Sequence, residues 1–308
     1  MNLTSENYYS READLAYMSC SQYHGFLECE ARQMAKLSGR WIDEPSEAFL
    51  VGNYFHTALE SEEAHAAFCE GNFDVIFKTK TVKDKVTGLS AKQVTGKYAP
   101  YERADKMIAV ARGDDLIRSF LEMEGEPEKI MHGLIFGIPW RIRVDKYVSG
   151  DGAMIIDWKT TANIWDTKYN PERGERETFI EAYGYLMRAA VYSEVEKQYS
   201  DREEDPHFII VAISKQDYPD KEVLRLNHRQ RYGYELEQIK DKLPRILAVK
   251  EGAMLPTRCG YCDYCRATKK LYAIKPYYKL IPEWRERREE EHEPGEMLVD
   301  APQEAVVG

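Results

Sequence analysis

The chain has 308 residues, 31% charged and 43% hydrophobic, with a net charge of −10. That length fits one large domain or two small ones, and the apolar fraction allows a true core. No apolar run is long enough to cross a bilayer, and Met1-Asn2-Leu3-Thr4-Ser5-Glu6 lacks the basic and apolar parts of a signal peptide, so a soluble cytoplasmic protein is expected. The acidic balance argues against a protein coated in nucleic acid, though not against a basic channel on an acidic body.

Residues 19–37 have helical spacing through Tyr23, Phe26, Leu27, Met34 and Leu37, with Ser19 or Ser21 as cap. Residues 46–70 predict a second helix, capped by Ser46, with a stripe through Leu50, Tyr54, Ala58 and Leu59. Residues 76–106 carry Lys78, Lys80, Lys83, Lys85, Lys92, Lys97, Arg103 and Lys106 against Asp84, Glu102 and Asp105. This basic stretch reads either as a solvated loop or as a mobile arm that touches phosphates.

The period then changes. Residues 132–137 and 140–148 predict two strands joined by the turn Gly137-Ile138-Pro139. After the turn Ser149-Gly150-Asp151-Gly152, residues 153–160 predict a third strand. Residues 177–199 predict a helix with a stripe through Phe179, Ile180, Tyr183, Met187 and Val191. Residues 208–214 read as a buried strand, 223–226 as a candidate strand and 228–250 as a long helix. Residues 281–308 are highly charged and lose periodicity, which predicts a frayed helix and a disordered tail. This order implies α/β or α+β, with a central mixed sheet flanked by helices.

Chemistry concentrates in Arg141-Ile142-Arg143-Val144-Asp145 and Ile155-Ile156-Asp157-Trp158-Lys159-Thr160. Side chains alternate along a strand, so Asp157 and Lys159 share one face, and Ile156 and Trp158 the other. A hairpin symmetric about Asp151 sets Asp145 across from Asp157. Two carboxylates that close repel unless a cation sits between them. Mg²⁺ takes one or two carboxylates plus waters and substrate phosphate, and a neighbouring lysine can orient the attacking water. The same pattern also fits a plain half-buried hairpin. His56 on the second helix is a candidate companion or a structural histidine. Glu181, Tyr185, Arg188 and Tyr192, spaced four, three and four apart, form either a site-facing strip or a solvated one.

Cys259-x₂-Cys262-x₂-Cys265 places three thiols within seven residues, flanked by Arg258, Asp263 and Arg266. That is not a core context. A reducing compartment disfavours a disulfide, so metal ligation with a fourth ligand is the stronger reading.

Taken together, these residues resemble the PD-(D/E)xK nuclease superfamily, nearest to the phage exonuclease VIII (RecE-like) group, related to RecB and AddB nuclease domains. Tyr17-Met18-Ser19-Cys20-Ser21-Gln22-Tyr23 with Phe26 and Cys29-Glu30 resembles the opening helix, and Gly52 with His56 and Leu59-Glu60 resembles the Gly-x₃-His motif. Asp145 resembles the first acidic ligand, Asp157-Trp158-Lys159-Thr160 the Asp-x-Lys motif, and 258–266 the cysteine motif of the Gram-positive phage branch.

The resemblance covers roughly residues 8–275. It implies a restriction-endonuclease-like α/β core, one nuclease domain over 1–280, and Mg²⁺ or Mn²⁺ held by Asp145, Asp157 and the Trp158 carbonyl. His56 would ligate metal or position phosphate, and Lys159 would position water. Tyr185, Arg188 and Tyr192 would contact substrate, although the group usually carries Gln where Arg188 stands. Cys29 would join Cys259, Cys262 and Cys265 around a [4Fe–4S] cluster. The shorter last gap leaves Zn²⁺ or a vestigial site open, Cys20 is the alternative fourth ligand, and Cys69 reads as a core residue.

The activity implied is a DNA exonuclease in a bacterial host, acting on duplex ends during phage-type recombination and leaving single strands for a RecT-like annealing protein. The alternatives are a non-catalytic nucleic-acid-binding protein of the same fold and a cluster-bearing interaction subunit.

Overall fold

The computed structural model describes residues 2–83, 90–171, 174–226, 229–277 and 297–298. Its centre is a five-stranded mixed sheet: β1 (Glu126–Ile135), β2 (Ile138–Val148), β3 (Met154–Thr161), β4 (His207–Ser214) and β5 (Lys221–Arg225), in that spatial order. All neighbours run antiparallel except β3 and β4, which are parallel and so need a crossover. The crossover includes helix Tyr185–Ser200. The α/β class and the mixed sheet stand as the sequence implies.

β4 shows why the centre is stable. Its run Phe208-Ile209-Ile210-Val211-Ala212-Ile213 is buried throughout, as expected of a strand covered on both faces. Phe208, Ile210 and Ala212 join Trp140, Ile142 and Ile155 under α1 (Cys20–Glu28), α5 (Tyr185–Ser200) and α6 (Arg229–Lys250). Ile209, Val211 and Ile213 join Ile156 and Trp158 under α3 (Glu47–Glu60) and α4 (Ala99–Gly113). Helix α2 (Glu30–Leu37) follows α1 directly.

Three predicted helices are broken, each by local chemistry. The first splits at Cys29, whose extended backbone (φ −166°) ends α1 while its sulfur caps α2 at Arg32. The second splits at Ser61, which caps a helix over Glu62–Gly71. The third splits at Gly184, left-handed at φ 67°, between a short helix Phe179–Ala182 and α5. The first hairpin turns on Phe136-Gly137, both at positive φ, rather than on 137–139. That is the two-residue turn matching strand twist, and it leaves Ile138 and Pro139 inside β2.

On either side of residues 84–89, which lie outside the described residues, the basic stretch forms regular elements. Phe77–Lys83 and Ser90–Lys97 form an antiparallel hairpin, and α4 follows. Two of its lysines pair within the protein: Lys92 with Asp74 at 3.2 Å and Lys97 with Asp105 at 2.7 Å. Lys85 lies outside the described residues, as does the tail except for Met297–Leu298, which pairs with Ala273–Ile274.

Gly184 can be tested directly. A Cβ there would lie 2.5 Å from His24 Nε2. Left-handed backbone costs a non-glycine residue about 1–2 kcal/mol. Gly184→Ala is expected to lower stability by about 2 kcal/mol or more in urea unfolding, and pairing it with His24→Ala should cost less than the sum of the two single changes.

Candidate active site

The site lies where β2 leaves β3. Their ladder runs Val148↔Met154, Tyr147↔Ile155 and Lys146↔Ile156 and then stops, one pair short of Asp145 and Asp157. The predicted symmetry about Asp151 therefore holds, but the two aspartates are not a ladder pair. Buried apolar positions on β2 fall at Trp140, Ile142 and Val144 and next at Tyr147, so the alternation slips by one beside Asp145. Asp145 then uses its side chain where a backbone carbonyl would have served: Oδ2 accepts the Trp158 N–H at 2.9 Å. Beyond the fork Met18 takes over, its N–H donating to Pro139 O at 2.8 Å and its carbonyl accepting from Arg141 N at 2.9 Å.

Asp145, Asp157, Lys159, His56 and Arg188, all expected site residues, meet in this fork. Lys159 Nζ lies 2.6 Å from Asp157 Oδ2 and 3.6 Å from Asp145 Oδ2, so the lysine is the cation between the carboxylates. It also donates to the Trp158 carbonyl at 3.0 Å. His56 Nδ1 comes from α3 to 3.4 Å of Asp145 Oδ2. Arg188 NH1 approaches Asp157 Oδ1 at 3.7 Å from α5. The Tyr185 ring lies 5.8 Å from Lys159 Nζ and 5.6 Å from the Arg188 guanidinium carbon. Tyr192 is buried, and its hydroxyl donates to the Arg143 carbonyl at 3.1 Å, which places it behind the site as a brace for β2. Glu181 belongs to the short helix and caps it through Thr178, so the strip read as continuous is interrupted.

The electrostatics follow from burial in company. Burial alone would raise the Asp145 pKa, but Lys159, His56 and the Trp158 N–H together hold it below the usual carboxylate range. Burial would lower the Lys159 pKa, yet Asp145 and Asp157 raise it and keep the ammonium charged. Burial, opposed by Asp145, lowers the His56 pKa, which favours the neutral imidazole that can ligate a metal. Asp157 Oδ2 is buried with the Lys159 ammonium as its cation and makes no well-angled hydrogen bond besides, so it is an oxygen suited to positive charge.

Asp145 and His56 open onto a cleft of about 220 Å³ that Glu60, Glu128 and Trp158 also line. Sequence reasoning missed Glu128. It falls opposite Asp145, between the pairs Pro127↔Lys146 and Lys129↔Val144, and has φ 52°. Burial, offset by its ion pair with Arg143, raises its pKa to about 7. Only the register of β1 against β2 could have pointed to it.

A second cluster joins the ends of the domain. The sulfurs of Cys29, Cys259, Cys262 and Cys265 all lie within 4.8 Å of one another. Cys29 Sγ is 3.6 Å and Cys259 Sγ 3.9 Å from Cys265 Sγ. The N–H groups of Arg32, Cys262 and Cys265 donate to Cys29, Cys259 and Cys262 sulfurs at 3.3–3.4 Å. Soft sulfur donors in this number and compactness fit a metal centre. Cys20 is buried elsewhere, with Arg188 and Asp157 acting on its thiol, and Cys69 sits 3.8 Å from His65 Nε2.

Glu30 locks this corner. Its carboxylate accepts from Arg245 Nε and NH2 at 2.9 and 2.8 Å, and from Thr257 N and Oγ1 at 2.7 and 2.8 Å. The Arg245 hydrogen bonds, with those from Thr257, pull its pKa down to about 2. A lowered carboxylate pKa stabilises the fold above the unfolded value near 4.5, and that contribution fades as pH falls toward 2. Glu30→Gln should cost about 1–3 kcal/mol at pH 7 and progressively less below pH 4.5, as read by thermal or urea unfolding across pH.

A family model described as a PDDEXK-like domain of unknown function (DUF3799) matches residues 19–268. A crystal structure from Eubacterium rectale, described as a "putative exonuclease", aligns at a TM-score of 0.78 and 33% identity, covering 92% of this chain and 99% of that one. SSO0001, also solved as a crystal structure, aligns at a TM-score of only 0.28 and 12% identity over 69% of this chain and 82% of its own. A search of curated proteins returned no match. With the carboxylates, lysine and histidine gathered in the fork of a mixed sheet, the match over 19–268 shows that this chain belongs to the PDDEXK-like DUF3799 family, within the PD-(D/E)xK nuclease superfamily.

Proposed function

We propose that the protein is a divalent-metal-dependent DNA exonuclease that hydrolyses phosphodiester bonds at duplex ends. The observation that carries this is Lys159 Nζ bridging Asp157 and Asp145 at 2.6 and 3.6 Å, with His56 Nδ1 3.4 Å from Asp145, on the edge of a cleft. The likeness to the Eubacterium rectale protein supports the exonuclease reading.

Asp145, Asp157, the Trp158 carbonyl and His56 are the residues that would hold Mg²⁺ or Mn²⁺, and hard oxygen donors with one imidazole suit such an ion. When bound, the ion supplies charge to the phosphate and acidifies water. Lys159 is fixed to orient that water and to stabilise negative charge on the phosphate. Arg188 presents a permanent cation able to grip a phosphate oxygen. Tyr192 keeps β2, and hence Asp145, in place. The wider role is phage-type recombination in a bacterial cytoplasm, with single strands passed to a RecT-like annealing protein.

One observation favours a non-catalytic nucleic-acid-binding reading. Arg188, standing where the resemblance expects Gln, contacts Asp157 and competes with a metal for it. End-labelled linear duplex with Mg²⁺, beside a circular control, decides between the two. The exonuclease reading expects the linear substrate to be degraded and the circle spared. Asp157→Asn should lower cleavage at least a hundredfold while DNA binding survives; wild-type cleavage by that variant would remove the assignment.

We further infer that Cys29, Cys259, Cys262 and Cys265 hold a metal that staples the domain. Cys-x₂-Cys-x₂-Cys with a remote fourth thiol is the ligand spacing of a [4Fe–4S] run. Separations of 3.6 and 3.9 Å match the edge, ~3.8 Å, of a tetrahedron of thiolates around one Zn²⁺. Metal analysis separates a brown iron protein from a colourless zinc one, and absence of both would leave packed thiols only. Because a metal here closes a loop across most of the chain, Cys262→Ser should lower the thermal midpoint and yield, with activity falling in step with folded protein.

A further inference from the structure

Outside the fork, one group of side chains continues the site toward solvent. Tyr185, beside Lys159, lies 6.3 Å ring to ring from Tyr183 at an interplanar angle of 51°. Lys168, on the strand Thr167–Asn170, sets Nζ 4.1 Å from the Tyr183 ring centre and 2.9 Å from its hydroxyl. Exposure rises outward along this path: Asp157 is 2% exposed and Tyr183 50%. Tyr183 is not a loose surface ring. The left-handed Gly184 that follows it admits no side chain, because His24 fills the space, so the reversal that sends Tyr183 outward and Tyr185 inward is built into the backbone.

We propose that Tyr183, braced by Lys168, is a stacking shelf for an unpaired base at the polynucleotide end whose phosphate reaches the fork. This rests on the nuclease reading above and adds the state of the substrate: a frayed or single-stranded terminus. Three features point to that occupant. The shelf reaches the lysine that binds the aspartates through the Tyr185 ring, so a terminus stacked on it lies beside the fork. An exposed aromatic face carries no hydrogen-bond code, which suits an enzyme that must accept every base in turn. The ammonium on its rim offers a phosphate contact beside the ring, the pairing that single-strand grooves use.

The test uses the full chain carrying Asp157→Asn, so that bound DNA is not cut. Linear duplexes with a short single-stranded overhang ending in 2-aminopurine are titrated and the fluorescence quench is followed. Stacking on Tyr183 should quench the probe. Adding Tyr183→Ala should abolish the quench and weaken overhang binding roughly five- to a hundredfold, the span of one base–aromatic stack, whereas Tyr183→Phe should keep both. An overhang ending in an abasic site should bind equally well with and without Tyr183→Ala. Equal quench and affinity with and without Tyr183→Ala would overturn the shelf, and so would equal loss with Phe and Ala. The nuclease reading is scored separately, by cleavage with the unsubstituted protein. Cleavage with no effect of Tyr183→Ala removes the shelf alone; quenching that depends on Tyr183 without any cleavage removes the nuclease reading alone.

Discussion

The geometry of the candidate site depends on one hydrogen bond, from the Trp158 amide to the Asp145 carboxylate. A β-ladder normally satisfies amides with carbonyls and leaves side chains free. Here β2 swings away, and a side chain covers the amide that the departing strand would otherwise leave bare. The departure creates a wedge inside a sheet whose other strands stay paired. Met18 closes the far side of that wedge by bridging to β2, so the opening is confined to the stretch that carries the charges.

Buried charge is costly unless it is balanced, and the wedge balances it. Asp145 and Asp157 meet Lys159 and Arg188, two of each sign. Removing one member leaves its partner uncompensated in a place water reaches poorly. The groups are thus fixed by one another as much as by the backbone. Their surroundings differ on the two faces: Asp145 meets His56 of α3, and Asp157 meets Arg188 of α5. The sheet thereby collects chemistry from helices that never touch the same core.

Much of this was legible in the residues. Period-two alternation is a hard geometric rule, so the common face of Asp157 and Lys159 followed at once, as did the buried run of β4. Thiol spacing likewise exposed Cys259, Cys262 and Cys265. What stayed hidden depends on contacts distant in sequence. The slip beside Asp145 leaves no mark in composition, because Val144 and Tyr147 are each ordinary β residues. Glu128 became relevant only through its partner strand. The helix breaks were half-visible: Ser61 and Gly184 are ordinary cap residues, but helical apolar spacing runs straight across both. Cys29 breaks its helix because its sulfur serves as the cap, a role that helix propensity does not describe. The lysine-rich stretch was hardest, since charge content says nothing about pairing, and Thr79, Thr81 and Val94 make a hairpin of it.

The gathering of thiols at the two ends of the domain also bears on how the chain is made. Cys29 and Cys265 are 236 positions apart, yet their sulfurs touch. A ribosome adding 5–20 residues per second needs about 10–50 s to go from the first to the second. For most of that interval the opening helices have no partner for Cys29 and no Arg245 for Glu30. The nascent chain therefore carries its opening helices without this corner while the residues between are made, and the two ends can be fastened only afterwards.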